Sequence, residues 1–243
     1  MARTSMKRFG MTNESGFSLI EVIAAMAAGL VVLGAALQAL LYFQREFARQ
    51  HIQIVQQEDV RLGLDLFEQE LRVAGSGSLS LVGPDTVEFQ ANVSGLMTNV
   101  TTPAAVGQTA LAVEDGRGWP DHKFVRVCWN DLCEQFTLAR AGQRNLLTFV
   151  EPAPRPIPSG ASVIVINRLR YYSRPDEGGH LRWLRQVDGG ASVIAGNISR
   201  FTLQFWDTQG RPTTDPASVR RLMVEIALPG RTVAYTREIS LGT

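Results

Sequence analysis

Several kinds of chemistry have little to work with in this sequence. Two cysteines among 243 residues are too few for a disulfide scaffold or a four-thiolate zinc site. There are three histidines, His51, His122 and His180, and neither GxSxG nor HExxH occurs, so no catalytic set stands out. Charge of one sign is not in excess: the formal net charge is +1, which gives no reason to expect a nucleic-acid surface. Lysine is nearly missing, with only Lys7 and Lys123 beside many arginines. Apolar residues at 45% and charged residues at 19% exclude a wholly disordered chain. Much of the apolar content lies between Phe17 and Phe43, a stretch that has no proline and one ionisable residue, Glu21.

That stretch reads FSLIEVIAAMAAGLVVLGAALQALLYF. At about 1.5 Å per residue it spans roughly 40 Å as a helix, more than the ~30 Å hydrocarbon core. Its apolar residues occupy every face, unlike those of a core helix in a soluble domain. Gly29 and Gly34 suit a membrane helix, where small residues permit close approach. Arg3, Lys7 and Arg8 precede the run, with Glu14 the only acid before it. The positive-inside rule then predicts a cytoplasmic N-terminus and an extracytoplasmic body. A secretory signal peptide has a shorter apolar region, about 7–15 residues, followed by a small-residue cleavage site. A carboxylate in a membrane costs about 2.5–3.5 kcal/mol at the helix centre and less near an interface. Glu21 therefore needs a partner, and a cation is the obvious one.

Gly16-Phe17-Ser18-Leu19-Ile20-Glu21-Val22 resembles the cleavage and methylation signal of type IV prepilins and type II secretion pseudopilins. The resemblance implies cleavage between Gly16 and Phe17 by a prepilin peptidase at the inner membrane and N-methylation of Phe17. It also implies that Glu21 meets the N-terminal amine of a neighbouring subunit. Acid and ammonium attract strongly in low dielectric, and each offsets the other's desolvation. Ser15 stands where many such leaders have lysine or arginine, and Gln38 where many major pilins have proline. Met1 or Met6 is the favoured start, because a start at Met11 would discard all three basic residues. The expected organisation is a leader at 1–16, a transmembrane assembly helix at 17–43 and an amphipathic continuation at 44–75. A β-rich extracytoplasmic domain follows at 76–243, with an added β unit near 100–160. Removal of the leader takes three basic residues and one acid, so the +1 of the whole chain becomes −1 in the mature form.

From Gln44 to Val73 the chain turns polar but keeps helical spacing. Phe47, His51, Ile54, Glu58, Leu62, Leu66 and Val73 form a stripe, widened by Val55, Leu64, Phe67 and Leu71. One helix from Phe17 to Ala74 is expected, stopped at Gly75-Ser76-Gly77. A GxGxxG reading of that stop fails because position 80 is serine and no strand is predicted before it. Leu62 to Gly75, LGLDLFEQELRVAG, resembles the end of this helix in PilW-type minor pilins and J-type pseudopilins.

Beyond Gly75 short strands are predicted at 86–89, 110–113, 124–129, 133–138, 146–150, 162–167, 169–172, 181–186, 201–206, 222–228 and 233–239. Turn signals such as Asp188-Gly189-Gly190 separate them. The fold class is α+β: a long helix packed by its second half on antiparallel sheet. Asn167 to Leu241 again resembles the PilW and J-type pattern, with a Tyr-Tyr strand, Leu181-Arg182-Trp183-Leu184-Arg185, and Trp206-Asp207 before a Gly turn. Cys128 and Cys133 flank an Asn-Asp turn signal, so in an extracytoplasmic domain a disulfide across a hairpin is the first expectation, contributing about 2 kcal/mol. Metal binding with His122 or His180 is the alternative, although the spacing matches no zinc pattern. Asp207 and Asp215 show no calcium-loop spacing. Trp119, Trp129, Trp183 and Trp206 are expected in core or sheet packing.

No enzyme, cofactor or small-molecule substrate is expected. The leading reading is a minor pilin that initiates or caps a type IV pilus with other minor and major pilins. The alternative is a J-type pseudopilin of a type II secretion system, followed by a membrane-anchored binding protein or enzyme.

Overall fold

The computed structural model describes residues 18–75, 77–231 and 233–242. It shows the pilin-like α+β layout: helix α1 (Leu19–Ala74) followed by antiparallel sheets. The strands are β1 (Leu79–Gly83), β2 (Thr86–Ala91), β3 (Met97–Asn99), β4 (Ala110–Ala112), β5 (Phe124–Trp129), β6 (Leu132–Thr137) and β7 (Leu146–Thr148). They continue as β8 (Ser162–Pro175), β9 (Leu181–Val187), β10 (Gly190–Ile198), β11 (Arg200–Trp206), β12 (Arg221–Ala227) and β13 (Tyr235–Ser240). The chain divides between Ile54 and Val55 into two compact units.

In the first unit the apolar helix is exposed on every side. Four consecutive residues, Leu30, Val31, Val32 and Leu33, point in successive directions and are 69%, 73%, 69% and 57% exposed. The helix is long and apolar enough to cross a membrane.

In the second unit, Val60, Gly63, Leu64, Phe67, Glu70 and Leu71 form the buried side of α1. Gly75 ends the helix in the left-handed region at φ +73°, and its N–H reaches the Leu71 carbonyl at 3.2 Å. Glycine takes that left-handed cap without backbone strain. The buried stripe is narrower and rotated relative to the one expected from the sequence. Leu62 and Val73 are 67% and 60% exposed, while Leu64, Phe67 and Leu71 are buried. The cause is Gly63, against which Trp183 and Ile194 pack so closely that a Cβ would lie 2.6 Å and 2.2 Å from their side chains. The missing side chain, rather than the most apolar line, selects the face.

β8 organises the sheets. Its first half pairs with β3 and β5, its second half with β2 and β9. Two strands were expected here, at 162–167 and 169–172; one continuous strand of 14 residues forms. Its halves serve two separate cores. One joins α1 to β2, β9 and the β11-β12-β13 sheet, with Phe67, Phe89, Tyr171, Trp183, Leu222 and Ile226 at its centre. The other lies between Val100 and Val165 around Leu111, Trp119, Phe136 and Leu147.

β1, β3 and β10 were not expected from the sequence. β10 has register shifts between Val193 and Ala195 and between Ala195 and Ile198, and β1 has one between Leu79 and Leu81. Bulges insert residues into the two-residue alternation by which a strand is read.

Candidate functional site

Gly16 and Phe17 lie outside the described residues. The next residue, Ser18, begins the helix. Its hydroxyl accepts the Ile20 N–H at 3.4 Å, its carbonyl accepts the Glu21 N–H at 3.0 Å, and its own N–H donates to Glu21 Oε2 at 3.1 Å. Ser18-Leu19-Ile20-Glu21 is thus an S-x-x-E capping arrangement, in which a carboxylate in the first turn satisfies an otherwise free backbone donor. The acid stands at the positive end of the helix dipole. An ionised carboxylate has roughly four acceptor directions, so capacity remains for a cation beside the Ser18 amide. The arrangement can hold Glu21 in place and can pair it with an ammonium group.

A second charged group is built deep in the other unit. Glu70, 6% exposed, receives Arg185 through both carboxylate oxygens, with Nε to Oε2 at 3.0 Å and Nη2 to Oε1. The Tyr171 hydroxyl also donates to Oε2. Burial, then the hydrogen bond to Glu70, pushes the Tyr171 phenol well above its ordinary range. The Glu70 hydrogen bond raises Arg185. Phe67 lies 4.6 Å from the Tyr171 ring, centroid to centroid, and Trp183 meets Phe67 edge-on at 6.3 Å. A helix carboxylate in an apolar stripe is therefore tied to two strands. Sequence reasoning passed over this group. Glu70 falls three residues after Phe67 on the buried face, and Arg185 shares a strand face with Trp183; an acid there requires a cation.

The remaining candidates are dispersed. Cys128 and Cys133 face each other across the β5–β6 hairpin and are disulfide-bonded. Asn130 and Asp131 turn it at φ +44° and +64°, the two-residue turn that matches strand twist. His122 lies beside Asp121 at 3.3 Å, both exposed. The His180 N–H donates to Asp176. Asp207 accepts N–H groups from Gln209 and Arg211 at 2.8 and 2.9 Å, and Asp215 caps a short 3-10 turn. Trp119 and Trp183 are buried, while Trp206 stacks under Arg221.

A half-open cleft of about 530 Å³ is lined by Glu88, Asp121, His122, Lys123, Arg168 and Asp188, among others. Two charge pairs line it, Lys123 with Asp188 at 2.5 Å and Arg168 with Glu88 at 3.6 Å, and Arg170 lines it too. Asp188 also accepts the Asn167 amide at 2.7 Å and the Arg168 N–H at 2.8 Å. Burial pushes its carboxyl up, but Lys123, Asn167 and the Arg168 amide outweigh that and hold it low.

Residues 11–37 match the prokaryotic N-terminal methylation motif family. The match contains Gly16, Phe17 and Glu21 and a large part of the exposed apolar helix. It supports a type IV pilin-like protein: a structural subunit of the pilin or pseudopilin kind, anchored by its N-terminal helix, meeting other pilins and a prepilin peptidase. No curated protein and no solved structure matches the chain.

Proposed function

We propose that this chain is a minor pilin of the PilW type, which initiates or caps a type IV pilus. The observation that carries the reading is the start of α1. There Ser18 and Glu21 cap each other at the head of a helix whose apolar side chains are uncovered as far as Phe43. In this reading the Glu21 carboxylate, held at the Ser18 amide next to Phe17, takes the amine of a neighbouring subunit, and the apolar helix enters either the bilayer or a bundle of like helices. A second apolar stripe supports subunit packing farther along. Val55, Leu62, Leu66 and Val73 are 39%, 67%, 39% and 60% exposed on a side of α1 that its own sheets leave free. The separate core between Val100 and Val165 favours a large, specialised head over that of a repeating major subunit. In this reading the N-terminus is cytoplasmic, the head is extracytoplasmic, and Cys128–Cys133 forms after export. The J-type pseudopilin shares these features and differs in its partners.

The test is mass spectrometry of the membrane form, followed by Glu21→Ala. The proposal requires loss of residues 1–16, a methylated Phe17, and an E21A protein that is processed but absent from filaments. An intact leader in cells with active prepilin peptidase would overturn it. Normal pilus number and motility in a deletion strain would exclude the pilus role.

A further inference from the structure

The outer face of the β8–β9 hairpin carries an arrangement that neither assembly nor the core explains. Arg174 and Arg182 are direct cross-strand partners, so their side chains leave the same face of the sheet only about 5 Å apart at Cβ. Like charges placed so are unfavourable. Two other arginines of this sheet are paired with acids, Arg168 with Glu88 and Arg185 with Glu70. Among the described residues neither Arg174 nor Arg182 has an ion pair or a hydrogen bond. The Arg182 Nε is buried and has no partner, although a buried guanidinium N–H is ordinarily bonded. Four residues back on the same face of β8, Arg170 donates to Thr86 at 3.2 Å and lies 5.1 Å over the Tyr172 ring. It too lacks a carboxylate. Tyr172 stands between Arg170 and Arg174 along that face of β8. The nearest acids in sequence lie in the connecting loop. Asp176 is turned into that loop, accepting the Gly178 and His180 N–H groups at 2.9 Å each, and Glu177 forms no ion pair among the described residues.

We propose that Arg174 and Arg182, with Arg170 at the side, form a binding site for a tetrahedral dianion of the phosphate type. Guanidinium forks match such oxyanions in a bidentate way. One anion held over the sheet face between the Arg174 and Arg182 guanidinium groups would cancel the repulsion. Phosphate and sulfate share this chemistry, free or as a terminal ester. The site stands independently of the pilin reading.

The experiment uses the full chain in detergent micelles, with inorganic phosphate as the probe. Phosphate should broaden its ³¹P line saturably and raise the melting temperature. Sulfate should compete, and acetate, a planar monoanion, should not. Arg174→Gln or Arg182→Gln should weaken phosphate binding by about tenfold or more, the loss of one charged fork. Without phosphate, R174Q should melt higher than the parent, because it removes like-charge repulsion; a merely structural arginine would shift melting the other way. Arg168→Gln, whose side chain is already matched by Glu88, should leave binding unchanged. Binding that survives both R174Q and R182Q, equal competition by acetate, or an R174Q protein that melts lower without phosphate would overturn the proposal.

Discussion

Glu70→Ala offers the sharpest test of how α1 is held. The substitution removes the acceptor that Arg185 and Tyr171 share. Breaking a buried pair by removing one partner costs about 3–5 kcal/mol. The Arg185 side chain is 21% exposed, so water can reach part of the stranded charge, and the lower end applies. The Tyr171 hydroxyl, on a fully buried residue, is left unsatisfied at about 1–3 kcal/mol. The two losses share one site and do not add fully, which gives about 3–4 kcal/mol. With a guanidinium slope of roughly 4 kcal/mol/M, the unfolding midpoint should fall by about 0.8–1 M, read by the fluorescence of buried Trp183. Glu70→Gln keeps an acceptor and should cost less. Glu70→Met with Arg185→Met removes both charges but still strands the Tyr171 hydroxyl, so it should recover the ion-pair part of the loss and stay about 1–3 kcal/mol below the parent. A loss below about 1 kcal/mol in E70A, within the range of an ordinary surface change, would refute the reasoning. So would a double variant as unstable as the sum of its singles.

Further outcomes follow from other contacts. Tyr171 holds its proton more tightly folded than unfolded, so its contribution is complete below the ordinary phenol range and is lost as pH rises above about 10. Tyr171→Phe should remove up to about 1.4 kcal/mol per pH unit of that alkaline slope in pH-dependent melting. Gly63→Ala forces a Cβ against the rigid Trp183 ring and should cost about 1–3 kcal/mol by denaturant unfolding; a neutral result would mean the helix does not sit on that face. Asp188 is held below its ordinary value, so its stabilisation is present above about pH 4 and is lost as pH falls through the lowered value. Asp188→Asn should flatten the acid limb of the melting curve and leave neutral-pH activity in assembly intact. Leu62→Asp with Leu66→Asp, both on the uncovered stripe, should change stability by no more than about 0.5 kcal/mol while reducing recovery of the subunit in sheared filaments.

The sequence by itself determined the features that depend on local order. The long apolar run and the Gly75 stop are short-range patterns, and they specify a helix and its end. The alternations Phe201, Leu203, Phe205 and Leu222, Val224, Ile226 specify strands with one buried face, as β11 and β12 show. Tertiary structure alone decided which side of α1 is buried, because that depends on Trp183 and Ile194 packing onto Gly63, well over a hundred residues away. It alone joined Glu70, Tyr171 and Arg185, and it alone set Arg174 opposite Arg182, since register between strands is fixed by pairing over the whole β8–β9 hairpin. β1 and β10 escaped the pattern because their bulges break the two-residue period. A one-dimensional pattern records periodicity; a charge, a missing side chain or a like-charge pair gains its meaning only from the atoms placed across from it.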